Sequence, residues 1–369
     1  MSFVPEAVEL LPLFIAAFIA AAFLSYVLTP IARAAAIRYG FMDRPGGRRV
    51  NTRPIPRAGG VAFASAFLLV ALGILILDAA MDSIALRGLV RTEQLIALLG
   101  GGAAAMVLGL LDDVFQLRAR WQLLGQLALA ASAVWLGIRV LAVDDPFGPG
   151  RILLPDPIAI GFSIFWFVGM INSINFIDGL DGLSSGIGLI AAVTLGLISM
   201  TGAGGPFGQP LVAAMCFTLA GALCGFLRWN FHPASVFAGT SGTMFVGFTL
   251  AALSVLGTAK VAIALLVLGV PIIDAFWIIV RRLANRKLPF SPDRGHIHHR
   301  LLDLGLTHMQ TVLLIYGICA SLAVLSLVLS GRSQLYAFGG LIVVFGLGLF
   351  ALTRGETHDA LEADSYEEP

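Results

Sequence analysis

The sequence predicts an all-α fold, a polytopic bundle of membrane-spanning helices, and three observations lead to this prediction. The chain has 369 residues, of which 58% are hydrophobic and only 12% are charged, and its mean hydropathy is +0.92. Such a composition is far too apolar for a soluble domain. Apolar runs close to the roughly 20 residues that a bilayer requires recur along the chain. Polar clusters lie between these runs, which keeps costly polar side chains out of the hydrocarbon.

Eleven apolar runs are candidate spans, and together they predict one transmembrane domain over residues 1–353. No basic stretch precedes the first run, so we expect it to be retained as a span rather than cleaved as a signal peptide. Residues 354–369 are acidic and predict a disordered tail. The eleven runs lie at residues 9–30, 60–77, 94–111, 122–138, 157–174, 183–200, 210–227, 242–257, 260–280, 311–330 and 335–352.

The distribution of Lys and Arg predicts the orientation in the membrane. If the N-terminus is outside, most of the 23 basic residues fall in cytoplasmic loops or in the C-terminal tail. The positive-inside rule therefore favours an outside N-terminus and a cytoplasmic C-terminus. All the polar motifs described below then lie on the cytoplasmic side.

Net charge and cysteine usage narrow the classes of function. The net charge is +1, which provides no general attraction to nucleic acid, and no nucleic-acid partner is expected. Cys216, Cys224 and Cys319 stand inside apolar runs and lack the spacing of a metal site or a disulfide framework. We expect all three to be buried packing residues.

The most polar segment between two apolar runs is residues 172–183. Asn172, Asn175, Asp178 and Asp181 recur there at intervals of three, which on a helical turn would place four oxygen-bearing side chains along one face. Such a face suits a hard cation, because Mg²⁺ takes oxygen ligands and completes its shell with phosphates and water. The alternative is that these Asn, Asp and Gly residues only form a turn.

Two adjacent carboxylates, Asp112 and Asp113, follow the third apolar run. Neighbouring residues on a helix point about 100° apart, so the two cannot share one task equally. We expect one to be held by a cation or a basic group while the other acts as a base. An exposed helix C-terminus is the alternative, although carboxylates are unfavourable at that end of the helix dipole.

Two further segments are rich in basic residues. Residues 43–60 contain five arginines, among them Arg48, Arg49, Arg53 and Arg57. Pro54 and Pro56 stiffen this loop, which suits bidentate binding of phosphate. A topology signal and contact with anionic lipid would explain the same loop.

Residues 290–300 gather three of the six histidines with two arginines. His298 and His299 are expected to point apart, which disfavours zinc, and anion recognition is favoured over a merely solvated basic loop.

In this order, the loops resemble the polyprenyl-phosphate N-acetylhexosamine-1-phosphate transferase family. The motifs that carry the resemblance are DRPGGR and PIPRAGG within residues 43–60, LDDVFQL at 111–117, NSINFIDGLDGL at 172–183, PASVFAG at 233–239 and PFSPDRGHIHHRLLDLG at 289–305. Members are integral membrane enzymes that move a sugar 1-phosphate from a UDP-sugar to a lipid phosphate and release UMP. The last motif and the eleven runs resemble the branch that uses UDP-N-acetylglucosamine more than the phospho-MurNAc-pentapeptide translocase branch.

The resemblance implies an enzyme of the bacterial inner membrane whose active site faces the cytoplasm. It implies a UDP-sugar donor, a polyprenyl phosphate acceptor, and magnesium as cofactor with manganese as the alternative; a homodimer is one of the oligomeric states left open. The implied catalytic residues are Asp112, Asp113 and Asp178. The implied metal positions are Asn175, Asp178 and Thr240. The implied substrate-binding residues are Arg48, Arg57, Asn172, Gly179, Leu180, Asp181, Phe237, His296, His298, His299 and Arg300.

One position departs from the family pattern. Where the family reads GDSGS, this chain reads GTSGT over residues 239–243, so Thr240 replaces the carboxylate usually assigned to magnesium. A neutral hydroxyl is a poorer ligand for a hard dication. Either the chain is active and Asp178 substitutes, or it is a catalytically impaired member that binds nucleotide sugar or lipid phosphate.

A transporter is a third class of function, and the sequence disfavours it. Transport sites lie near the bilayer midplane, whereas the polar residues here cluster in loops on one side. Asp274 is the exception, because it stands inside an apolar run. We expect it either to support the floor of the active site or to pair with a neighbouring helix.

Overall fold

The computed structural model describes residues 9–43, 53–80, 86, 90–148, 150–200, 209–257, 261–284, 296–329 and 331–347. Helices make up most of this part of the chain, which confirms the predicted class of polytopic helical membrane protein. Residues 354–369 and Arg48 lie outside the described residues. The division into a membrane domain and an acidic tail therefore stays a prediction.

Every predicted apolar run coincides with a helix, and the ninth run coincides with two. Two short antiparallel hairpins accompany the helices, β1 Met42–Asp43 with β2 Ile55–Pro56 and β3 Ala142–Asp144 with β4 Arg151–Leu153. The helices are α1 Leu11–Tyr39, α2 Gly59–Ala80, α3 Thr92–Phe115, α4 Ala119–Trp135, α5 Asp156–Ile177, α6 Leu183–Ser199, α7 Pro210–Asn230, α8 Gly239–Leu256, α9 Val261–Val267, α10 Gly269–Ala284, α11 Ile297–Asp303, α12 His308–Val328 and α13 Arg332–Leu347.

Fewer of these helices meet the length and hydropathy of a full span than the sequence predicts. Within the described residues, 7 helices do so, or 8 if α9 and α10 form one span. These two helices are bent by 82° at the break between them, as in a broken span or a re-entrant loop. Helices α6 and α13 are apolar but shorter. The count of eleven spans and the orientation therefore stay predictions.

Local sequence signals explain several helix ends. Helix α1 ends where Gly40 adopts the left-handed conformation at φ +77°, which glycine does without steric cost. Helix α7 begins at Pro210, whose fixed φ suits the first helical position. Helix α12 begins with a capping box, in which the Thr307 hydroxyl accepts the N–H of Gln310 and the Gln310 side chain accepts the N–H of Thr307.

Helix α8 lies at the centre of the bundle, packed against α2, α3, α5 and α6. Glycines allow the backbones of its neighbours to approach its first turn closely. A Cβ atom on Gly109 of α3 would lie 2.3 Å from the Thr240 carbonyl oxygen, and one on Gly60 of α2 would lie 2.1 Å from the Gly242 nitrogen. Because only hydrogen fits in these places, α2 and α3 converge on the N-terminus of α8.

A similar small-residue contact joins α7 to α1. Gly221 and Gly225 stand four residues apart on α7, and Cβ atoms there would lie 2.1 Å and 2.0 Å from the carbonyl oxygens of Phe18 and Ala22. Close packing of small residues is the usual basis of helix association in a membrane, where water supplies no driving force between helices. This contact fixes α7, and with it the loop that leads into α8.

One prediction about the core is wrong. Cys216 and Cys319 are buried as expected, but Cys224 is exposed on the surface of the structure. An exposed apolar residue on a membrane helix faces lipid rather than water, so hydropathy alone does not distinguish a core position from a lipid-facing one.

Candidate active site

The two adjacent carboxylates occupy the last turn of α3 and have different partners. Asp113 reaches the first turn of α8, where its Oδ1 accepts the N–H of Thr240 at 2.8 Å and its Oδ2 accepts the N–H of Ser241 at 2.9 Å. The N-cap residue of α8 is Ala238, whose methyl side chain cannot accept a hydrogen bond from the backbone N–H groups of the first turn. Asp113 therefore caps α8 from a different helix, where the helix dipole favours a negative charge.

Asp112 turns the other way. Its Oδ1 accepts the Leu117 N–H at 3.0 Å and a second hydrogen bond from the side chain of Gln122 on α4. No described residue hydrogen-bonds its Oδ2. The two carboxylates therefore have different surroundings, with Asp113 held by backbone N–H groups of α8 and Asp112 held by Leu117 and Gln122, while the roles expected for them stay predictions.

The expected single face of Asn172, Asn175, Asp178 and Asp181 is wrong, because α5 ends at Ile177. Asn172 donates to the Gln126 side chain at 2.7 Å and to the Val168 carbonyl at 2.8 Å, toward α4. Beyond the helix end the chain turns, and the remaining members of the series point to other elements. Of the four residues spaced by three, only Asn172 and Asn175 therefore lie in a helix.

Asn175 and Asp178 face α8 and α6. The Asn175 Oδ1 accepts the hydroxyl of Thr243 at 3.0 Å, and the Asp178 Oδ1 accepts the hydroxyl of Ser184. No described residue hydrogen-bonds the second oxygen of Asp178. Burial raises the pKa of Asp178 to about 6, the Ser184 hydrogen bond and Arg57 oppose this rise, and the nearby charges of Asp113 and Asp181 add to it.

The loop after Asp178 packs against the histidine segment, residues 296–300. A Cβ atom on Gly179 would lie 2.1 Å from Nε2 of His298, so only glycine fits beside this ring. Leu180 is buried in the core. Gly182 has φ +78° and accepts the hydroxyl of Tyr316 from α12, which fixes the end of the loop.

Arg57 connects the N-terminal loop to the segment before α8. Its guanidinium pairs with the buried carboxylate of Asp43, and its backbone forms a parallel bridge with Phe237. Arg57 also interacts electrostatically with Asp113 and Asp178. The structure thus places Arg57 close to the acidic residues and Phe237 beside Arg57, and the roles that the resemblance implies for both stay predictions.

The histidine segment is held by Asp274 of α10. The Asp274 Oδ2 lies 2.8 Å from Nδ1 of His296, and its Oδ1 accepts the Ile297 N–H at 2.8 Å. Of the two expectations for Asp274, the structure therefore favours support of the site floor. Arg300, on the short helix α11 that begins after His296, is also buried.

His298 is a buried residue of the histidine segment, and neither of its ring nitrogens is hydrogen-bonded to a described residue. Burial lowers the pKa of His298 well below its usual value, and the neighbouring His299, His296 and His308 lower it further. The ring is therefore neutral at physiological pH. The rings of His298 and His299 are 4.4 Å apart between centroids, so the expectation that they point apart is wrong.

Sequence reasoning missed several residues that hold the site together. Asp43, Gln122, Ser184 and Thr243 each bond a predicted site residue. Their only signal was polarity at the ends of apolar runs. His232 and His308 were also missed, although both lie beside Asp181.

The residues at the metal position fit magnesium by their chemistry. The side chains of Asn175, Asp178 and Thr240 each offer oxygen as the ligand atom, which Mg²⁺ prefers. No described residue hydrogen-bonds the Oδ2 of Asp178, and burial raises the pKa of this carboxyl, so a cation beside it would offset the cost of burying its charge. The Thr240 side chain is a hydroxyl, so the set has one carboxylate fewer than the family pattern.

Comparisons with known proteins agree with the resemblance. Residues 95–258 match the model of glycosyl transferase family 4. A Bacillus subtilis protein described as a probable undecaprenyl-phosphate N-acetylglucosaminyl 1-phosphate transferase is 34% identical over 342 residues, 91% of this chain and 89% of the relative. A decaprenyl-phosphate N-acetylglucosaminephosphotransferase of Mycobacterium tuberculosis is 34% identical over 364 residues, 92% of this chain and 89% of the relative.

A third relative, from Thermotoga maritima, is described as an undecaprenyl-phosphate alpha-N-acetylglucosaminyl 1-phosphate transferase. It is 34% identical over 279 residues, 75% of this chain and 78% of the relative. The chain therefore belongs to the polyprenyl-phosphate N-acetylhexosamine-1-phosphate transferase family, whose members are glycosyl-1-phosphate transferases.

Proposed function

We propose that this protein transfers N-acetylglucosamine 1-phosphate from UDP-N-acetylglucosamine to undecaprenyl phosphate, releases UMP and so initiates a cell-envelope glycan. One observation carries the proposal. Asp113, Asp178 and Arg57, which come from three separate segments of the chain, interact with one another around the N-terminus of α8. The substrates are inferred from the names of the relatives, and the clustered charges are the place where we propose that the phosphates react.

In the proposed reaction, an oxygen of the lipid phosphate forms a bond to the β-phosphorus of the donor. The bond from this phosphorus to the bridging oxygen breaks, and the bridging oxygen leaves with UMP. Phosphoryl transfer of this kind needs mainly alignment and neutralisation of charge. No described residue hydrogen-bonds the Oδ2 of Asp112, and in this proposal Asp112 takes the remaining proton of a singly ionised lipid phosphate.

The other members of the constellation bind and orient the substrates. Arg57, anchored by Asp43, presents its guanidinium group to the donor diphosphate. In this proposal uridine lies against Gly179, Leu180, Asp181 and Phe237. The sugar and diphosphate lie against His296, His298, His299 and Arg300. Arg48 and Asn172 stay candidate substrate-binding residues, Arg48 beyond the described residues and Asn172 turned toward α4.

We propose magnesium as the cofactor, with manganese as the alternative. Asn175, Asp178 and the Thr240 hydroxyl would hold it, and when bound it supplies positive charge at the diphosphate. The site would face the cytoplasm of a bacterial cell, which the distribution of basic residues and the bacterial relatives support.

Thr240 supports a second candidate function. If Asp178 does not replace the missing carboxylate, the chain is an impaired member that binds a nucleotide sugar or lipid phosphate without rapid turnover. Binding tolerates the loss of a metal ligand better than catalysis, because charge neutralisation matters most in the transition state.

Release of UMP by the purified protein tests the proposal. The assay contains undecaprenyl phosphate, magnesium and one of a panel of UDP-sugars, and donor binding is measured in parallel. UMP release that requires the lipid, the metal and UDP-N-acetylglucosamine supports the transferase. Binding without UMP release supports the impaired member, and neither binding nor release would contradict both.

A further inference from the structure

Three side chains from three separate segments come together at the loop between α5 and α6. Asp181 lies between α5 and α6, His232 lies between α7 and α8, and His308 begins α12. Their ligand atoms all lie within 4.8 Å of one another, and within the part of the chain that the structure describes no other group of three or more His, Cys, Asp or Glu side chains does so. The proposed transferase reaction assigns no role to His232 or His308.

Asp181 and His232 are already in contact. The Nδ1 of His232 lies 2.8 Å from the Oδ2 of Asp181, and the same oxygen accepts the N–H of Ala234 at 3.0 Å. The ring of His308 stacks on that of His232, with centroids 4.2 Å apart and planes at 22°. Two imidazoles and a carboxylate are thus held together by the fold.

His308 supplies an independent observation. Both of its ring nitrogens are buried, and neither makes a hydrogen bond to a described residue. The main chain of Asp181 acts on the ring as a weak hydrogen-bond partner whose geometry falls short of a full hydrogen bond, and the charges of Asp181 and His232 also act on it. Buried polar atoms without partners are rare and costly, so this ring calls for a small polar partner such as an ion or a water molecule.

We propose that Asp181, His232 and His308 bind a borderline divalent transition-metal ion, with Zn²⁺ as the reference ion. Two imidazole nitrogens and one carboxylate oxygen form a ligand set that zinc accepts with a fourth position open to water. Mg²⁺ prefers oxygen ligands and would favour Asn175 and Asp178 instead. The two ions therefore occupy different positions.

Binding requires one change in the cluster. Nearly parallel stacked rings direct their nitrogen lone pairs side by side, whereas coordination of one ion needs them to converge. His232 has room to turn, because 41% of its side chain is exposed. The bound ion then replaces the present contact between His232 and Asp181 and ties both loops to the start of α12.

Direct metal binding tests this proposal without the transferase reaction. The full chain is purified in detergent without a polyhistidine tag, stripped with a chelator, and titrated with zinc in competition with a chromophoric chelator. We expect one ion per chain. His232→Gln and His308→Gln should each weaken binding by at least about tenfold, since even changes outside the ligand shell cost about 10- to 100-fold. His299→Gln, which changes a histidine outside the cluster, is the matched control.

Equal zinc affinity in the wild type and in both cluster variants would overturn the proposal, as would a wild type that binds no zinc. A second measurement guards against misfolded variants. Cobalt added to the wild-type protein should give the intense visible absorption of a four-coordinate site, and an excess of zinc should abolish it. A cobalt spectrum indistinguishable from that of the free ion would also overturn the proposal.

Discussion

The carboxylate of Asp113 on α3 accepts the backbone N–H of Thr240 on α8 at 2.8 Å, although the two residues are 127 positions apart in sequence. This contact places one of the two adjacent acids at the position where the family pattern has its metal-binding carboxylate. The same acid also caps a central helix whose own N-cap residue is alanine. Asp113 therefore has a structural role at the start of α8, in addition to the catalytic role that we propose for it.

We predict that Asp112→Asn and Asp113→Asn behave differently. Asp112→Asn should lower the rate by at least about a hundredfold with little change in thermal stability, because a base is lost. Asp113→Asn should also lower stability, by about 0.5–2 kcal/mol, because the amide cannot accept both N–H groups of the helix terminus. Rates and melting temperatures check this, with Asp156→Asn at the exposed start of α5 as control. Equal stability of the two variants would contradict the capping role.

We predict that Thr240→Asp increases the response to magnesium. The new carboxylate would join Asp113 and Asp178, so the ion should bind more tightly and stabilise the fold more, by about 2.7 kcal/mol when its concentration is 100 times Kd. UMP release should rise more than donor affinity. Melting temperatures with and without magnesium check this, and Thr92→Asp, at the other end of α3, is the matched control. If the wild type is already fast and Thr240→Asp changes neither property, Asp178 holds the metal unaided.

We predict that activity falls as the pH drops through the pKa of Asp178, which burial raises from 3.8 to about 6. Between these values the folded protein keeps a proton that the unfolded chain releases, so this group stabilises the fold at low pH and loses that effect as the pH rises through 6. Magnesium needs the ionised form and competes with the proton. Rate profiles at two magnesium concentrations check this. The midpoint should move to lower pH at higher magnesium, and a fixed midpoint would argue against Asp178 as a ligand.

We predict that the site faces the cytoplasm. In a chain from which Cys216, Cys224 and Cys319 have been removed, cysteines at Arg120 and Asp303 should react with an impermeant reagent only from the cytoplasmic face. A cysteine at Phe147, in the β3–β4 turn beyond the other end of α5, should react only from outside. Labelling of the Arg120 and Asp303 positions from opposite faces would contradict a single-sided site.

Much of the fold was predictable because hydropathy is a local property. Each apolar run became a helix, and the ends of α1, α7 and α12 follow from glycine, proline and a capping box. The number of full spans was less predictable, since α9 and α10 read as one run but are bent by 82°. Surface exposure within an apolar run was also not predictable, as Cys224 shows.

The site was predictable in its composition and less so in its contacts. Asp112, Asp113, Asp178 and the histidines could be named because polar residues are conspicuous in an apolar chain. Their partners depend on how distant segments meet: Asn172 turns to Gln126, 46 residues away, and Asp181 meets His232, 51 residues away. No periodicity in the sequence encodes such contacts, because they arise only once the helices pack.

Transfer of a phosphate label tests the central claim most directly. UDP-N-acetylglucosamine labelled with ³²P in its β-phosphate is incubated with the purified protein, undecaprenyl phosphate and magnesium, and the lipid and aqueous phases are separated. Transfer of sugar 1-phosphate predicts that the label moves to the lipid phase while unlabelled UMP accumulates in the aqueous phase. Label that stays in the aqueous phase as UDP while sugar enters the lipid would show transfer of the sugar alone and would contradict the account.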